Sequence, residues 1–379
     1  MGTNRATASD SGVKQQDFTD VKIAFVVSLL AWPITYFVDN GITKVHEDKR
    51  TFILMAVGFF LLSGTILFVR GLSKRKSWMN HVFTVFAFTC MIDLIIGLEL
   101  KGYIGGFMSV YLSIGEPYLS SPWGCAIVLF DGICIYVMYL TLIHLVSNSM
   151  SWRSVGIYWV SGLINSMIVL LFGVASGKHN PTFCTFLNVP YAVFPIIIAI
   201  RLFSKEKETN WSLERIRANG IVFDLAVAVG LVFSIWTVFA KGMLSIGSQF
   251  GIFQDLLNHE RALLDVNPAP FAIIQSLVYL FYAAPILLIS LVYNFRKRKP
   301  QFVWELALIN GGTILQAQFS FIVTALDFQT PKELRSDPLD WIFWLNNLGL
   351  LIAPQLFIWS LYKSNVLTNN GGKQGNKNK

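Results

Sequence analysis

Ten runs of mostly apolar residues divide the chain. They fall at 21–38, 51–70, 80–99, 122–147 and 153–174, then at 183–203, 220–241, 269–294, 303–326 and 339–362. Each is close to the roughly 20 residues that a helix needs to cross a bilayer. The pattern predicts an all-α fold, a polytopic membrane protein with ten transmembrane helices. Residues 1–20 are polar and are expected to be a disordered N-terminus. No cleavable signal peptide is read there, because the first apolar run lacks a basic flank and a small-residue cleavage site. From about Asn365 the chain is Gly, Asn and Lys, so residues 365–379 are expected to form a disordered tail.

Composition narrows the class. Of 379 residues, 54% are hydrophobic and only 14% charged, against about a quarter charged in soluble domains. Mean hydropathy is +0.55. An ordinary cytosolic enzyme, a disordered chain and a disulfide-stapled secreted domain are excluded. The net charge of +8 sits in short basic runs between apolar stretches, such as Lys74-Arg75-Lys76 and Arg296-Lys297-Arg298-Lys299. Such runs mark a membrane face rather than a nucleic-acid surface. Counted by side, 21 Lys and Arg fall with the termini and even-numbered connections and nine with the odd-numbered ones. That bias puts both termini in the cytosol, and leaves the sequon Asn210-Trp211-Ser212 unmodified. Cys90, Cys125, Cys134 and Cys184 lie in or beside apolar runs without metal spacing, and are expected to be free buried thiols. No HExxH, phosphate-binding loop or nucleophile elbow is present. No metal and no cofactor are expected.

A duplication runs through the chain. The third and seventh runs end in Lys101-Gly102 and Lys241-Gly242. Each is followed by a loop with Glu-x-x-Leu, at Glu116–Leu119 and Glu260–Leu263. Each loop enters the next run through Pro and an aromatic, and eight residues later stand Asp131 and Tyr279. The following runs carry Leu163-Ile164-Asn165 and Leu308-Ile309-Asn310, and the last of each set a mid-run proline, Pro190 or Pro354. The expected organisation is two N-terminal helices at 21–70, then four-helix units at 80–203 and 220–362, repeated in parallel.

Asp93 and Asp131 lie well inside the third and fourth runs. A carboxylate at that depth costs about 2.5–3.5 kcal/mol on insertion scales. Counting from the lumenal ends at 1.5 Å per residue puts the two within about 5 Å of the same depth. They anchor a ligand in a cavity, or they bond across helices to Asn165 or Tyr136. The cavity alternative has apolar walls from Met91, Ile95, Ile127 and Phe130, and the Glu116–Leu119 loop closing it. Tyr136, Tyr139, Tyr279 and Tyr282 each need a partner for a buried hydroxyl. Gln316 and Ser320 share a face of the ninth run, either in a site or as glue between helices.

The stretch from Val85 to Glu99, with Gly106-Phe107-Met108, Gly115–Leu119 and Asp131-Gly132, resembles the transmembrane 6 superfamily proteins. So do Gly311-Gly312 with Gln316–Ser320, Tyr279–Tyr282 before Pro285, and Ala31-Trp32-Pro33 with Tyr36. That resemblance implies two EXPERA modules, matching the duplication. The module is shared with the sigma-2 receptor and emopamil-binding sterol isomerases, which hold sterol-like ligands in a four-helix cavity. It implies ligand-facing roles for Asp93 and Asp131. The isomerases' His, followed four residues later by Glu, is replaced by Asp93 and Gly97, which weighs against isomerase chemistry.

The full set of candidate ligand-binding residues is Asp93, Glu116, Asp131, Tyr136, Asn165, Tyr279 and Gln316. By resemblance, the function is non-enzymatic lipid homeostasis in the endoplasmic reticulum or Golgi: binding a sterol-like lipid and influencing sterol, triglyceride or lipoprotein lipid handling. Lys377, third from the end, is a weak retrieval hint. Partners are a membrane lipid and either proteins of lipid metabolism or a second copy, without nucleic acid. The alternatives are an isomerase-like enzyme using Asp93 and Asp131 as an acid/base pair, and a lipid transporter.

Overall fold

A computed structural model describes residues 16–72, 77–178, 182–204, 220–296 and 299–375. Most of the N-terminal tail, Lys74-Arg75-Lys76, Lys297-Arg298, the 210–212 sequon and Lys377 lie outside the described residues. Within them, ten helices are long and apolar enough to cross a membrane. They are α1 Thr19–Ile42, α2 Glu47–Leu72, α3 Trp78–Leu100, α4 Pro122–Ser147 and α5 Arg153–Ser176. After them come α6 Phe183–Ser204, α7 Ile221–Ser245, α8 Phe271–Asn294, α9 Gln301–Leu326 and α10 Trp341–Lys363. Every end lies within four residues of the sequence expectation. The protein is an all-α, multi-pass integral membrane protein.

Two helices are interrupted where the chain supplies a reason. α1 breaks at Leu30, three residues before Pro33. Proline has no N–H for the Leu29 carbonyl, and its ring crowds that carbonyl. α10 continues as helix to Gly375. The tail expected to be disordered from 365 is therefore helical up to that residue, because extending a formed helix is cheap compared with nucleating one. Similarly, Thr19 and Asp20 belong to α1 rather than to a disordered segment.

A feature without any sequence signal occurs in α4 and α8. Each contains one π-helical stretch, Asp131–Ile135 and Tyr279–Ala283. An extra residue is accommodated in each turn, as at many functional sites. The stretches begin at the two positions that the duplication pairs. Short 3₁₀ turns follow the paired glutamates too, at Pro117–Ser120 and Arg261–Leu264.

The middle of the molecule is the packing of α5 on α9. Ser154 Oγ accepts from Trp304 Nε1 at 3.1 Å, Arg153 donates to Glu305 at 2.7 Å and Asn165 to Gln316 at 2.5 Å. The separation in sequence hardly changes along the contact, so the two helices run parallel. Gly312 makes this approach feasible: a Cβ there would sit 2.1 Å from the Tyr158 carbonyl oxygen. Small residues at such crossings let helices meet backbone to backbone in lipid.

An acidic cavity among the first six helices

One face of α3 carries Phe88, Thr89, Ile92, Asp93 and Ile96, residues three and four apart along the helix. They line a cavity of about 150 Å³, room for roughly five waters at their liquid volume of about 30 Å³ each. α4 adds Ile127, Val128 and Asp131; α5 adds Ser166, Met167 and Leu170. The register of α3 on α4 is held by two close approaches. A Cβ on Gly132 would sit 2.7 Å from Leu94 Cα, and one on Gly97 would sit 2.5 Å from Leu129 Cδ2. These glycines bring the Asp93 and Asp131 turns to the same wall.

Asp131 is 8% exposed, and its Oδ1 finds no hydrogen-bond partner among the described residues. Ser166 Oγ, at 1% exposure on the same cavity, is in the same position. An unpaired buried acceptor or hydroxyl costs about 1–3 kcal/mol, so a partner inside the cavity would recover that loss. Among the described residues, no Lys or Arg contributes to the lining. The site is thus an acceptor-rich pocket with apolar walls.

Glu116 caps it. Its carboxylate accepts from Tyr111 at 2.5 Å, from Asn188 at 2.5 Å and from the Tyr118 hydroxyl. Burial pushes the Glu116 carboxyl above its ordinary range, against the pull of those three donors. The rest of the 101–121 loop hangs on two more carboxylates. Glu99 accepts from the backbone N–H groups of Phe107 at 3.0 Å and Met108 at 2.8 Å, and Asp39 from that of Val110 at 2.9 Å.

Of the seven residues singled out in the sequence, Asp93, Glu116 and Asp131 share this cavity. The other four do not line it. Tyr136 bonds Ser28 Oγ at 2.7 Å, joining α4 to α1. Asn165 donates to Gln275 at 2.8 Å and to Gln316, which in turn donates to Ser320 at 3.0 Å. These residues tie α5, α8 and α9 together. The Tyr279 hydroxyl accepts from Gln318 at 3.0 Å. All four hold helices together, as buried side-chain amides and phenols do in lipid.

The expected apolar walls also need correcting. Ile127 lines the cavity, but Met91, Ile95 and Phe130 pack elsewhere in the core. Met91 and Ile95 stand two positions from Asp93, about 200° round the helix. Phe88, Ile92 and Ile96 take their place. Sequence reasoning missed Asp39, which also lines the cavity. The apolar run stops at Val38, so Asp39 reads as a flank, although the helix continues to Ile42. It also missed the whole contribution of α1 and α2, from Ile34 to Leu62.

The second half is arranged differently at the matching place. Lys241 and Glu260, both fully buried, pair at 3.1 Å. Asn347 donates to Glu260 at 2.9 Å and accepts from Lys241 at 2.8 Å. The ammonium also lies 4.0 Å above the Phe321 ring. Lys101, which the duplication pairs with Lys241, instead bonds Asp327 at the end of α9. So Glu260 is neutralised by the chain itself, while Glu116 is satisfied only by neutral donors.

The family profile "Transmembrane 6 superfamily member 2-like, transmembrane domain" matches residues 30–212. The chain is 30% identical over 347 residues to Transmembrane 6 superfamily member 2 of Mus musculus, covering 87% of this chain and 89% of that one. With the protein of the same name from Homo sapiens it shares 30% over 363 residues, 89% and 91% of the two chains. No solved structure matches it.

Proposed function

The chain belongs to the transmembrane 6 superfamily, and on that premise we propose that it is a non-enzymatic lipid-handling protein. Its first-half cavity holds a sterol-like or other amphiphilic lipid through a polar head. One observation carries the reading: the buried, unpaired Asp131 Oδ1 facing an acceptor-rich cavity with apolar walls. A hydroxyl or amine on the lipid supplies the missing donor, with Asp93 and Ser166 alongside. Apolar walls from α2 and α3 take the hydrocarbon body.

We group α3–α6 and α7–α10 as two EXPERA-like four-helix units, with α1–α2 added in front. The paired π-stretches, the paired 3₁₀ turns and the Asn188–Glu116 and Asn347–Glu260 hydrogen bonds support the grouping. Both termini are assigned to the cytosol from the Lys/Arg bias, and the protein to the endoplasmic reticulum or Golgi. There it acts on sterol or triglyceride handling. The second unit is the scaffold, since Tyr279 stands where the first has Asp131.

The test is lipid content. Lipids retained by the purified full-length protein, identified by mass spectrometry, should include one hydroxyl- or amine-bearing species at near-stoichiometric level. Asp131→Asn should lower that species several-fold without loss of folded protein. Equal retention by wild type, Asp93→Asn and Asp131→Asn would overturn the reading. Conversion of an added sterol would place the two acids in an acid/base pair instead.

A further inference from the structure

Both polar ends of the cavity are shut. At the loop end, Tyr111, Glu116 and Leu119 form the cover. That cover is pinned by Glu99 and Asp39 and by the Thr182 hydroxyl, which donates to the Gly115 carbonyl. At the other end a layer of aromatics closes the bundle: Phe83, Phe86, Tyr139 and Trp159, none more than 2% exposed. Phe86 stacks on Tyr139 at 5.7 Å, and Tyr139 meets Trp159 at 5.3 Å. A bulky occupant has no path along either route without unpacking these layers.

Among the side walls is α2, and there the wall is one helix thick. Only Leu54 and Val69 of its 26 residues are buried. Its inner side, at Val57, Gly58, Leu61 and Leu62, lines the cavity. Its outer side exposes Phe60 at 76% and Leu67 at 68%. α2 touches α6 at one end, where Phe52 meets Phe183 edge-on at 6.3 Å and Gly58 faces Leu187. A Cβ on Gly58 would lie 2.7 Å from Leu187 Cδ2. Beyond that junction α6 turns to α3, with Tyr191 and Phe194 against Phe86 at 4.9 and 5.8 Å. α2 packs on α1 and α3 instead. The two helices therefore part below the Gly58–Leu187 contact, with Leu61 and Leu62 on one side and Tyr191 on the other.

We propose that the cavity exchanges its occupant sideways with the bilayer, through this gap between α2 and α6, and not with water at either end. The inference rests on the cavity being a lipid site, and it adds the route and the orientation. The ligand is an amphiphile already dissolved in the membrane. Its donor-bearing head reaches Asp131 and Ser166, and its apolar body trails along α2 towards the lipid. Gly58 sets the edge of the window: without a side chain, it lets Leu187 close that edge.

The route is tested by which reagent reaches the cavity. In full-length protein reconstituted in liposomes, Ser166→Cys places a thiol on the cavity wall with little change of volume. Labelling is followed by intact mass, with the native protein giving the background of its own cysteines. A long-chain N-alkylmaleimide, which partitions into lipid, should modify Ser166→Cys at least tenfold faster than a charged trimethylammonium methanethiosulfonate does. Adding Leu62→Trp, which narrows the gap, should slow the maleimide about tenfold; Leu62→Phe serves where the larger ring prevents folding. Faster or equal reaction with the charged reagent would show a water route and overturn the proposal. So would maleimide labelling no faster than the background, or unaffected by both Leu62 variants. Lipid retention is read separately, on the native protein. Maleimide access without any retained lipid would leave the route standing and remove the ligand reading.

Discussion

Replacing Lys241 by Met should destabilise the protein by about 3–5 kcal/mol at pH 7, the usual penalty for leaving one partner of a buried pair behind. The geometry gives the same scale. At 3.1 Å, the attraction is roughly 5 kcal/mol with an effective dielectric of about 20. Without the ammonium, Glu260 keeps only Asn347 and is fully buried. It would take up a proton rather than stay charged. From its ordinary value of 4.5, holding that proton at pH 7 costs about 3.4 kcal/mol, and at pH 5 only about 0.7 kcal/mol. The lost contact with Phe321 adds on the order of 1 kcal/mol. The sign follows from linkage: the folded variant holds a proton that the unfolded chain has released, so the destabilisation grows as pH rises. The double variant Lys241→Met/Glu260→Leu should recover most of the loss and show no such pH dependence. The assay is denaturant unfolding of the detergent-solubilised protein at pH 5 and pH 7, closed as a double-mutant cycle. Additive effects, or a Lys241→Met penalty below about 1 kcal/mol at both pH values, would refute the reasoning.

Three further outcomes are expected. Gly312→Ala should abolish folded protein or cost several kcal/mol, because the clash is with backbone and cannot be relieved by a rotamer; size-exclusion profiles and melting temperatures check it. Glu116→Gln should gain on the wild type as pH rises above 4.5. The buried Glu116 holds its proton in the folded state after the unfolded chain has lost it, so wild-type stability falls with pH, and melting curves from pH 4 to 8 would show the two converging. Asn165→Leu should cost about 1–2 kcal/mol through the lost bonds to Gln275 and Gln316 while leaving lipid retention unchanged, since the residue lies outside the cavity.

The spans were legible because twenty apolar residues in a row have few alternatives once backbone groups must be paired without water. Asp93 and Asp131 were legible for a related reason: at that depth a carboxylate is costly enough to demand a purpose. Depth alone says nothing of rotation about the helix axis. Asn165 and Gln316 are as buried and polar as Asp131, yet each faces a neighbouring helix with a complementary amide. Asp93 and Asp131 sit on faces turned to a gap, and only packing through Gly97 and Gly132 determines that. The π-stretch at Asp131 and the α2 wall have the same origin. Neither leaves a periodic trace, since both follow from how distant segments meet. Asp39 sits only three residues from the end of α1 at Ile42, so the depth that singles out Asp93 does not extend to it.

The most direct measurement is an experimental density map of the full-length protein in lipid, at a resolution that shows side chains. The account predicts elongated density in the cavity whose head lies within hydrogen-bond distance of Asp131 Oδ1 and Ser166 Oγ, with its body passing Leu61 and Leu62 towards the gap beside α6. A cavity collapsed onto Asp131, or one in which Asp131 and Ser166 are bonded to other residues of the protein with no ligand density, would contradict it.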